Sequence, residues 1–330
     1  MSGIDGLGLS FVGVSHWHVP LYLRAVERYG LKAISVFDLN ADTARRVASG
    51  LGCPSFTDID DLLEHKRPDF VFAFGRHCDM PAMAKRLISL KIPFAIEKPV
   101  GLNAAEVREV LESAAREDVF CSIPFIWRFS AIVRQLRERI APEDVVHMHF
   151  RFIAGPPGRY LESSPWMLER KTAGGGCMTN LGVHFIDLAL FLSGSQAAAV
   201  DSACFHRSWG YEVEDYAVSL MRLSSGATLG LETGYAYPTD AASHADNRWT
   251  IVTRNGYYSV GAGSVEFREF GEAGVSRLAA DTDADTYYPN FVRESLNECL
   301  SGAAPTAGLH DMLRVRTILD DIILGADAQG

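Results

Sequence analysis

The chain lacks several features that would narrow its role at once. No run of apolar residues reaches the roughly 18 that a membrane-spanning helix needs. The opening stretch, "MSGIDGLGLSFVGV", has no basic segment ahead of its apolar residues, and reads as a first strand rather than a signal peptide. Cysteine is sparse: Cys53, Cys78, Cys121, Cys177, Cys204 and Cys299 are scattered, with no CxxC and no metal-finger spacing, as expected of reduced thiols in a cytoplasmic protein. A basic surplus is also missing. The formal net charge of −10 argues against nucleic acid and against a membrane surface as partners. There is no internal repeat and no low-complexity segment. What remains is a 330-residue chain, 48% hydrophobic and 22% charged, the profile of a soluble globular protein long enough for two domains.

Two textures divide the chain near residue 125. Through residues 1–125, compact Val-, Ile- and Phe-rich runs ("LSFVGV", "LKAISVFD", "DFVFAF", "IPFAIE", "VFCSIPF") alternate with amphipathic helical patterns such as "LYLRAVERYG" and "NAAEVREVLESAARED". Strand, helix, strand at this spacing predicts βαβ units and a parallel sheet. Asn103 is placed to cap the helix that follows, with Glu106 as its capping-box partner. Through residues 126–330, "DVVHMHFRF", "DYAVSLMRL", "ATLGLETGYAY", "RWTIVTRNGYYSV" and "SVEFREF" alternate apolar with polar residues, as antiparallel strands with one buried face do. Asn255-Gly256 predicts a type I′ hairpin turn, and two helices close the chain near 288–300 and 308–324. The expected fold is α/β: an N-terminal dinucleotide-binding domain of Rossmann type, then an α/β domain on a large open, mainly antiparallel sheet.

A dinucleotide fold wants a glycine-rich turn after its first strand and an acid at the end of its second. The turn here is "VGVSHWHVP". Gly13 occupies the first fingerprint position, but Ser15 and His18 stand where the other two glycines belong. Ser15 is small enough for a close backbone approach, and His16 and Trp17 would shape the turn beside the cofactor. Asp38, at the end of "AISVFD", is positioned to bind the adenosine ribose hydroxyls and to disfavour a 2′-phosphate, so NAD is expected in preference to NADP. His16 and His18 also form an HxH pair, but no carboxylate-rich partner motif accompanies them and no metal is expected.

The most unusual stretch is "GGGCMTNLGVHFIDLALF", Gly174–Phe191, where Asn180, His184 and Asp187 interrupt an apolar run. On a regular helix these three would share one polar stripe, and the preceding glycines would let a cofactor or substrate approach closely. Together with "EKPVGLNAAEV" at 97–107, "IWRFS" at 126–130, Trp166 and the closing "GLHDMLRVRTILDDII", this stretch resembles the glucose–fructose oxidoreductase, inositol dehydrogenase and MocA family over essentially the whole chain. The resemblance implies a Rossmann domain over 1–125, a substrate-binding and oligomerisation domain over 126–330, and a homodimer or homotetramer. It implies oxidation or reduction of a ring hydroxyl of a sugar or polyol with NAD or NADP. It places Lys98 and His184 on the family's lysine and histidine, and Asn180 where most members carry Asp. "FGRHCDM" departs from the family too, where relatives show something like TPNxxH.

Removing hydride from a carbinol carbon leaves a developing carbonyl and a hydroxyl proton to lose. A lysine can stabilise the alkoxide oxygen through charge-assisted hydrogen bonds, and a histidine can accept the proton near neutral pH. Lys98 and His184 are the expected pair. Asn180 can orient His184 but not hold its charged form, so a less basic His184 is expected than beside an Asp. Glu97 and Arg128 are expected near the cofactor. Tyr160, Trp166, Lys171, Asp187, Arg207 and Tyr235 are candidate substrate contacts, since sugar sites combine aromatic faces with polar forks. Two other readings stay open at this point: a glycoside-cleaving enzyme that recycles tightly bound NAD, and a non-catalytic sugar or nucleotide sensor of the same fold.

Overall fold

A computed structural model describes residues 3–238, 245–261, 263–271 and 274–328. The chain forms two compact units. The first comprises 1–124, 162–166 and 285–313; the second comprises 125–161, 167–284 and 314–330.

The first unit alternates β1 (Gly8–Val12), α1 (Val19–Tyr29), β2 (Lys32–Phe37), α2 (Ala41–Leu51), β3 (Ser55–Phe56), α3 (Ile59–His65), β4 (Phe70–Ala73), α4 (Met80–Ser89), β5 (Phe94–Ile96), α5 (Ala104–Glu117) and β6 (Cys121–Ser122). The strands pair in parallel in the order β3-β2-β1-β4-β5-β6. The order reverses between β1 and β4, the place where such sheets bind ligands at the carboxyl ends of their strands. β1 and β4 are buried throughout, because helices cover both faces. Phe72 stacks on Phe11 at 5.4 Å and meets Phe70 at a tilt at 5.1 Å between ring centroids; burying each contributes about 1.5–3 kcal/mol. Asn103 caps α5 by accepting the Glu106 amide, while Glu106 reaches back to the Leu102 amide at 2.7 Å, so the capping box closes one residue early.

The second unit contains α6 (Ala131–Arg139), β7 (Val145–Ala154), the single turn α7 (Arg170–Ala173), α8 (Val183–Ser193), and β8 (Ala198–His206), β9 (Tyr216–Leu223), β10 (Thr228–Gly234), β11 (Ala245–Thr253), β12 (Gly256–Gly261), β13 (Ser264–Glu269) and β14 (Ser276–Ala279). Their order in the sheet is β14-β13-β12-β11-β7-β10-β9-β8. All neighbours are antiparallel except β7 and β10, so the sheet is mixed but mostly antiparallel. β9 alternates buried and exposed residues. The buried face meets α8, where Phe185 packs against Phe150, Phe152 and Trp249, and Trp127 meets Trp249 edge-on at 4.6 Å.

One expectation needs correction. The β11–β12 connection is Arg254-Asn255, and neither residue has a positive φ, so the turn is not type I′. It is held instead by contacts with residue 144: the Arg254 amide donates to the Asp144 carbonyl and the Asn255 side chain to the Asp144 carboxylate. The segment Arg170–Ser193 is long and apolar enough to pass for a membrane span, yet 89% of its most apolar window is buried inside the protein. Two helices, α9 (Tyr288–Ser301) and α10 (Leu309–Asp327), end the chain. α9 packs on α1 within the first unit.

Candidate active site

The first unit presents its candidates at the carboxyl ends of β1, β2, β4 and β5. Gly13 has φ +81°, and a Cβ there would overlap the Phe74 carbonyl oxygen, so no other residue fits the turn. Ser15 donates both its amide (2.5 Å) and its hydroxyl (2.7 Å) to the Asp38 carboxylate, which also accepts the Asn40 amide at 2.8 Å. Asp38 therefore ties the turn after β1 to the end of β2. His16 and Trp17 stack at 5.7 Å, and Trp166, carried here by segment 162–166, lies 6.0 Å from His16.

Glu97 and Lys98 follow β5 and are both buried, at 0% and 2% exposure. Glu97 Oε1 faces His18 Nδ1 at 2.9 Å and accepts the Tyr22 hydroxyl at 2.8 Å; the Tyr288 hydroxyl lies 3.2 Å from His18 Nδ1. Glu97 Oε2 meets no hydrogen-bond partner among the described residues. Burial lowers the Lys98 pKa to about 8, against the opposing pull of Glu97 and Asp285. Val100, two residues on, holds φ +56° while fully buried, an uncommon conformation for a β-branched residue and a mark of local backbone strain.

In the second unit the glycine run has an internal cause. A Cβ at Gly176 would overlap the Glu214 carbonyl oxygen, and one at Gly175 the Thr179 hydroxyl. Gly176 admits the Glu214 backbone and Gly175 the Thr179 side chain, so at these two glycines the close approach is internal to the protein rather than room for a cofactor or substrate. Glu214 Oε1 in turn accepts the Met178 amide at 3.1 Å, and burial raises its pKa.

Residues Met178–Gly182 form a π-helical turn that runs into α8. A π turn closes over i to i+5, so Asn180 and His184 no longer stack as they would on a regular helix. The single polar stripe resolves into three separate settings. Asn180, 1% exposed, donates from Nδ2 to the Tyr160 and Tyr235 hydroxyls, each at 3.0 Å. Arg159 donates to the Tyr160 hydroxyl at 2.7 Å and lies over both tyrosine rings. His184 is half-buried, its ring edge-on to Phe125 at 6.5 Å. Asp187 makes a two-pronged pair with Arg128, at 2.9 and 2.5 Å, and the guanidinium also covers the Phe191 ring. Two sequence candidates are thus each other's partners. Lys171 and Arg207 are exposed, and Arg207 pairs with Asp327 at 3.8 Å.

Sequence reasoning passed over several residues that the structure brings to these places. His77 is buried and meets Trp166 edge-on at 5.0 Å; its signal was the departure "FGRHCDM". Tyr22, Tyr288 and Arg159 carried no signal, since each sits in an ordinary amphipathic or loop pattern. Among the described residues no group of three or more potential metal ligands converges.

A dinucleotide fits the first unit at two points, Gly13 at the switch between β1 and β4, and the carboxylate of Asp38 at the end of β2. Residues 7–125 match the model of an oxidoreductase family with an NAD-binding Rossmann fold, and residues 132–259 match the GFO/IDH/MocA C-terminal domain. The chain is 26% identical over 234 residues to myo-inositol 2-dehydrogenase of Thermotoga maritima, covering 68% of this chain and 66% of that protein. It is 26% identical over 225 residues to UDP-N-acetylglucosamine 3-dehydrogenase of Acidithiobacillus ferrooxidans, covering 67% and 64%. These alignments span about two thirds of the relatives' lengths. An Agrobacterium radiobacter oxidoreductase solved with NAD+, L-tartaric acid and magnesium superposes with a TM-score of 0.87 at 16% identity, covering 98% of this chain and 97% of that one, a likeness of fold. By both of its matched domains, the chain belongs to the GFO/IDH/MocA oxidoreductase family.

Proposed function

We propose that the protein transfers hydride between a ring hydroxyl of a sugar or polyol and NAD, with Lys98 stabilising the alkoxide and His184 acting as general base. The observation that carries the reading is Lys98 itself. A lysine buried to 2% exposure at the carboxyl end of a parallel strand, with its pKa drawn down to about 8, is placed for chemistry rather than for solubility. Bound NAD supplies the hydride acceptor. Lys98 holds the substrate oxygen as negative charge develops, and His184 takes the hydroxyl proton. Asn180 acts at one remove: it fixes Tyr160 and Tyr235 through their hydroxyls. Asp38 selects NAD over NADP, and Arg128 with Asp187 holds α8 and hence His184. Named relatives that oxidise inositol and an aminosugar nucleotide support the polyol or sugar class. The protein works as a homodimer or homotetramer in the cytoplasm.

The test is turnover of a sugar and polyol panel with NAD by the wild type and by Lys98→Ala. The wild type forms NADH in step with oxidised sugar, and Lys98→Ala loses at least about a hundredfold in kcat, as loss of an oxyanion donor does. Product without net NADH would point instead to recycled NAD. Binding without any turnover would point to a sensor.

A further inference from the structure

In an ordinary dinucleotide turn, backbone amides at the start of the first helix receive the diphosphate. This turn has committed most of its amides elsewhere. Gly13 and Val14 donate to the Phe37 carbonyl, Ser15 to Asp38, His16 to the Gly13 carbonyl, Val19 to the His16 carbonyl and Leu21 to the His18 carbonyl. Pro20 has no amide hydrogen to give. The His18 amide is used in a more informative way: it donates to His16 Nδ1 at 3.2 Å.

That bond settles the state of His16. A ring nitrogen that accepts a hydrogen bond carries no proton, so the neutral imidazole holds its hydrogen on Nε2. Burial, with His18, His77 and Lys98 nearby, lowers the His16 pKa well below its ordinary value, which keeps the ring neutral. The ring is 5% exposed, lies at the carboxyl end of β1 and reaches to 5.9 Å from the Phe74 ring just beyond β4. Among the described residues, the Nδ1 bond is the one hydrogen bond the ring makes. The result is a fixed N–H donor at the switch point of the sheet, beside a turn most of whose amides are in use.

We infer that His16, through Nε2–H, is the group this chain offers to the diphosphate of its dinucleotide in place of the missing glycine-turn amides. The inference rests on the reading that the first unit binds NAD, and it makes His16 a binding residue specific to the phosphate portion of the ligand. A diphosphate oxygen accepts a hydrogen bond from the neutral ring without any proton transfer, so no change of charge on the protein accompanies binding at this group.

Calorimetric titration with ADP-ribose and with adenosine tests it on the wild type, His16→Phe and His16→Gln. Phe keeps a flat ring against Trp17 and Trp166 but has no donor; Gln places an amide N–H near the position of Nε2. Loss of a hydrogen bond to a charged group predicts roughly tenfold weaker ADP-ribose binding by His16→Phe, unchanged adenosine binding, and recovery in His16→Gln. A second measurement needs no variant: in the wild type labelled with 15N-histidine, the His16 Nε2 proton is present before binding and moves on adding ADP-ribose. Equal ADP-ribose affinity of His16→Phe and wild type overturns the inference and leaves the NAD reading intact. So does an equal loss for adenosine, or a proton found on Nδ1. A wild type that binds neither ADP-ribose nor NAD overturns the NAD reading, and the inference with it.

Discussion

The Arg128–Asp187 pair gives the sharpest prediction about what holds the candidate base in place. Both side chains are buried, at 6% and 2% exposure, and they meet through two hydrogen bonds. Asp187 lies one helical turn after His184 on α8, so the pair anchors the element that carries the base. Asp187→Ala removes the carboxylate from beside a buried guanidinium that lies against Phe191 and Phe125. Breaking a buried pair on one side costs about 3–5 kcal/mol, which lowers the melting temperature by roughly 6–20 °C for a unit of this size. The double variant Arg128→Met/Asp187→Leu replaces charge with volume and recovers most of that loss, because both desolvation penalties vanish together. Urea and thermal unfolding of the two single variants and the double variant measure the coupling. A single-variant loss below about 1 kcal/mol, the range of an exposed pair, would refute the reasoning. So would additive losses in the double variant. A drop confined to NAD affinity, with stability unchanged, would show that Arg128 serves the cofactor directly.

Other consequences are equally specific. Because burial depresses Lys98, its charged form gives way as pH rises through about 8; kcat/KM in the oxidation direction should therefore fall above pH 8, and a flat profile to pH 10 would remove the charged lysine from the mechanism. The same depression has a stability side: a lysine whose folded pKa lies below its unfolded value opposes folding while the unfolded chain is protonated, so Lys98→Met should unfold at a higher temperature than wild type at pH 7, and the gain should shrink as pH rises toward 10. Gly176→Ala forces a methyl group into the Glu214 carbonyl and should cost at least about 2 kcal/mol; a melting temperature equal to wild type would contradict the packing described for the glycine run. Asn180→Asp puts a carboxylate four residues before His184, on the Tyr160 and Tyr235 hydroxyls; a role of residue 180 in tuning the base predicts that the acidic limb of kcat/KM moves to higher pH, and an unmoved limb would separate residue 180 from the base. Asp38→Ala should weaken NAD roughly tenfold and narrow the preference over NADP; equal NAD and NADP affinities in the wild type would sink the role given to Asp38.

Much of the architecture was open to reading because it repeats with a period. The apolar runs of β1, β4 and β5 and the capped amphipathic pattern of α5 identify a parallel βαβ unit, and alternation in β9 identifies a sheet with one buried face. β3, two residues long, and α3, seven, were invisible because neither is long enough to show a period. The candidate residues Lys98 and His184 stood out by type and spacing. Their surroundings did not, because the partners come from distant parts of the chain. Arg128 finds Asp187, Asn180 finds Tyr160 and Tyr235, and Glu97 finds His18 and Tyr22. The glycine run misled for the same reason: the backbone that requires it belongs to residue 214, far along the sequence. Asn255-Gly256 carried a strong local turn signal that lost to tertiary contacts with Asp144.

The central claim is hydride transfer from a ring carbon to nicotinamide. It is tested most directly with wild-type protein, NAD and sugars or polyols deuterated at their ring carbinol carbons, followed by mass spectrometry of the nicotinamide nucleotide. The account predicts reduced nucleotide carrying one deuterium from the oxidised carbon, formed by wild type and nearly absent with Lys98→Ala. Bound sugar and bound NAD with no deuterium in the nucleotide would contradict it.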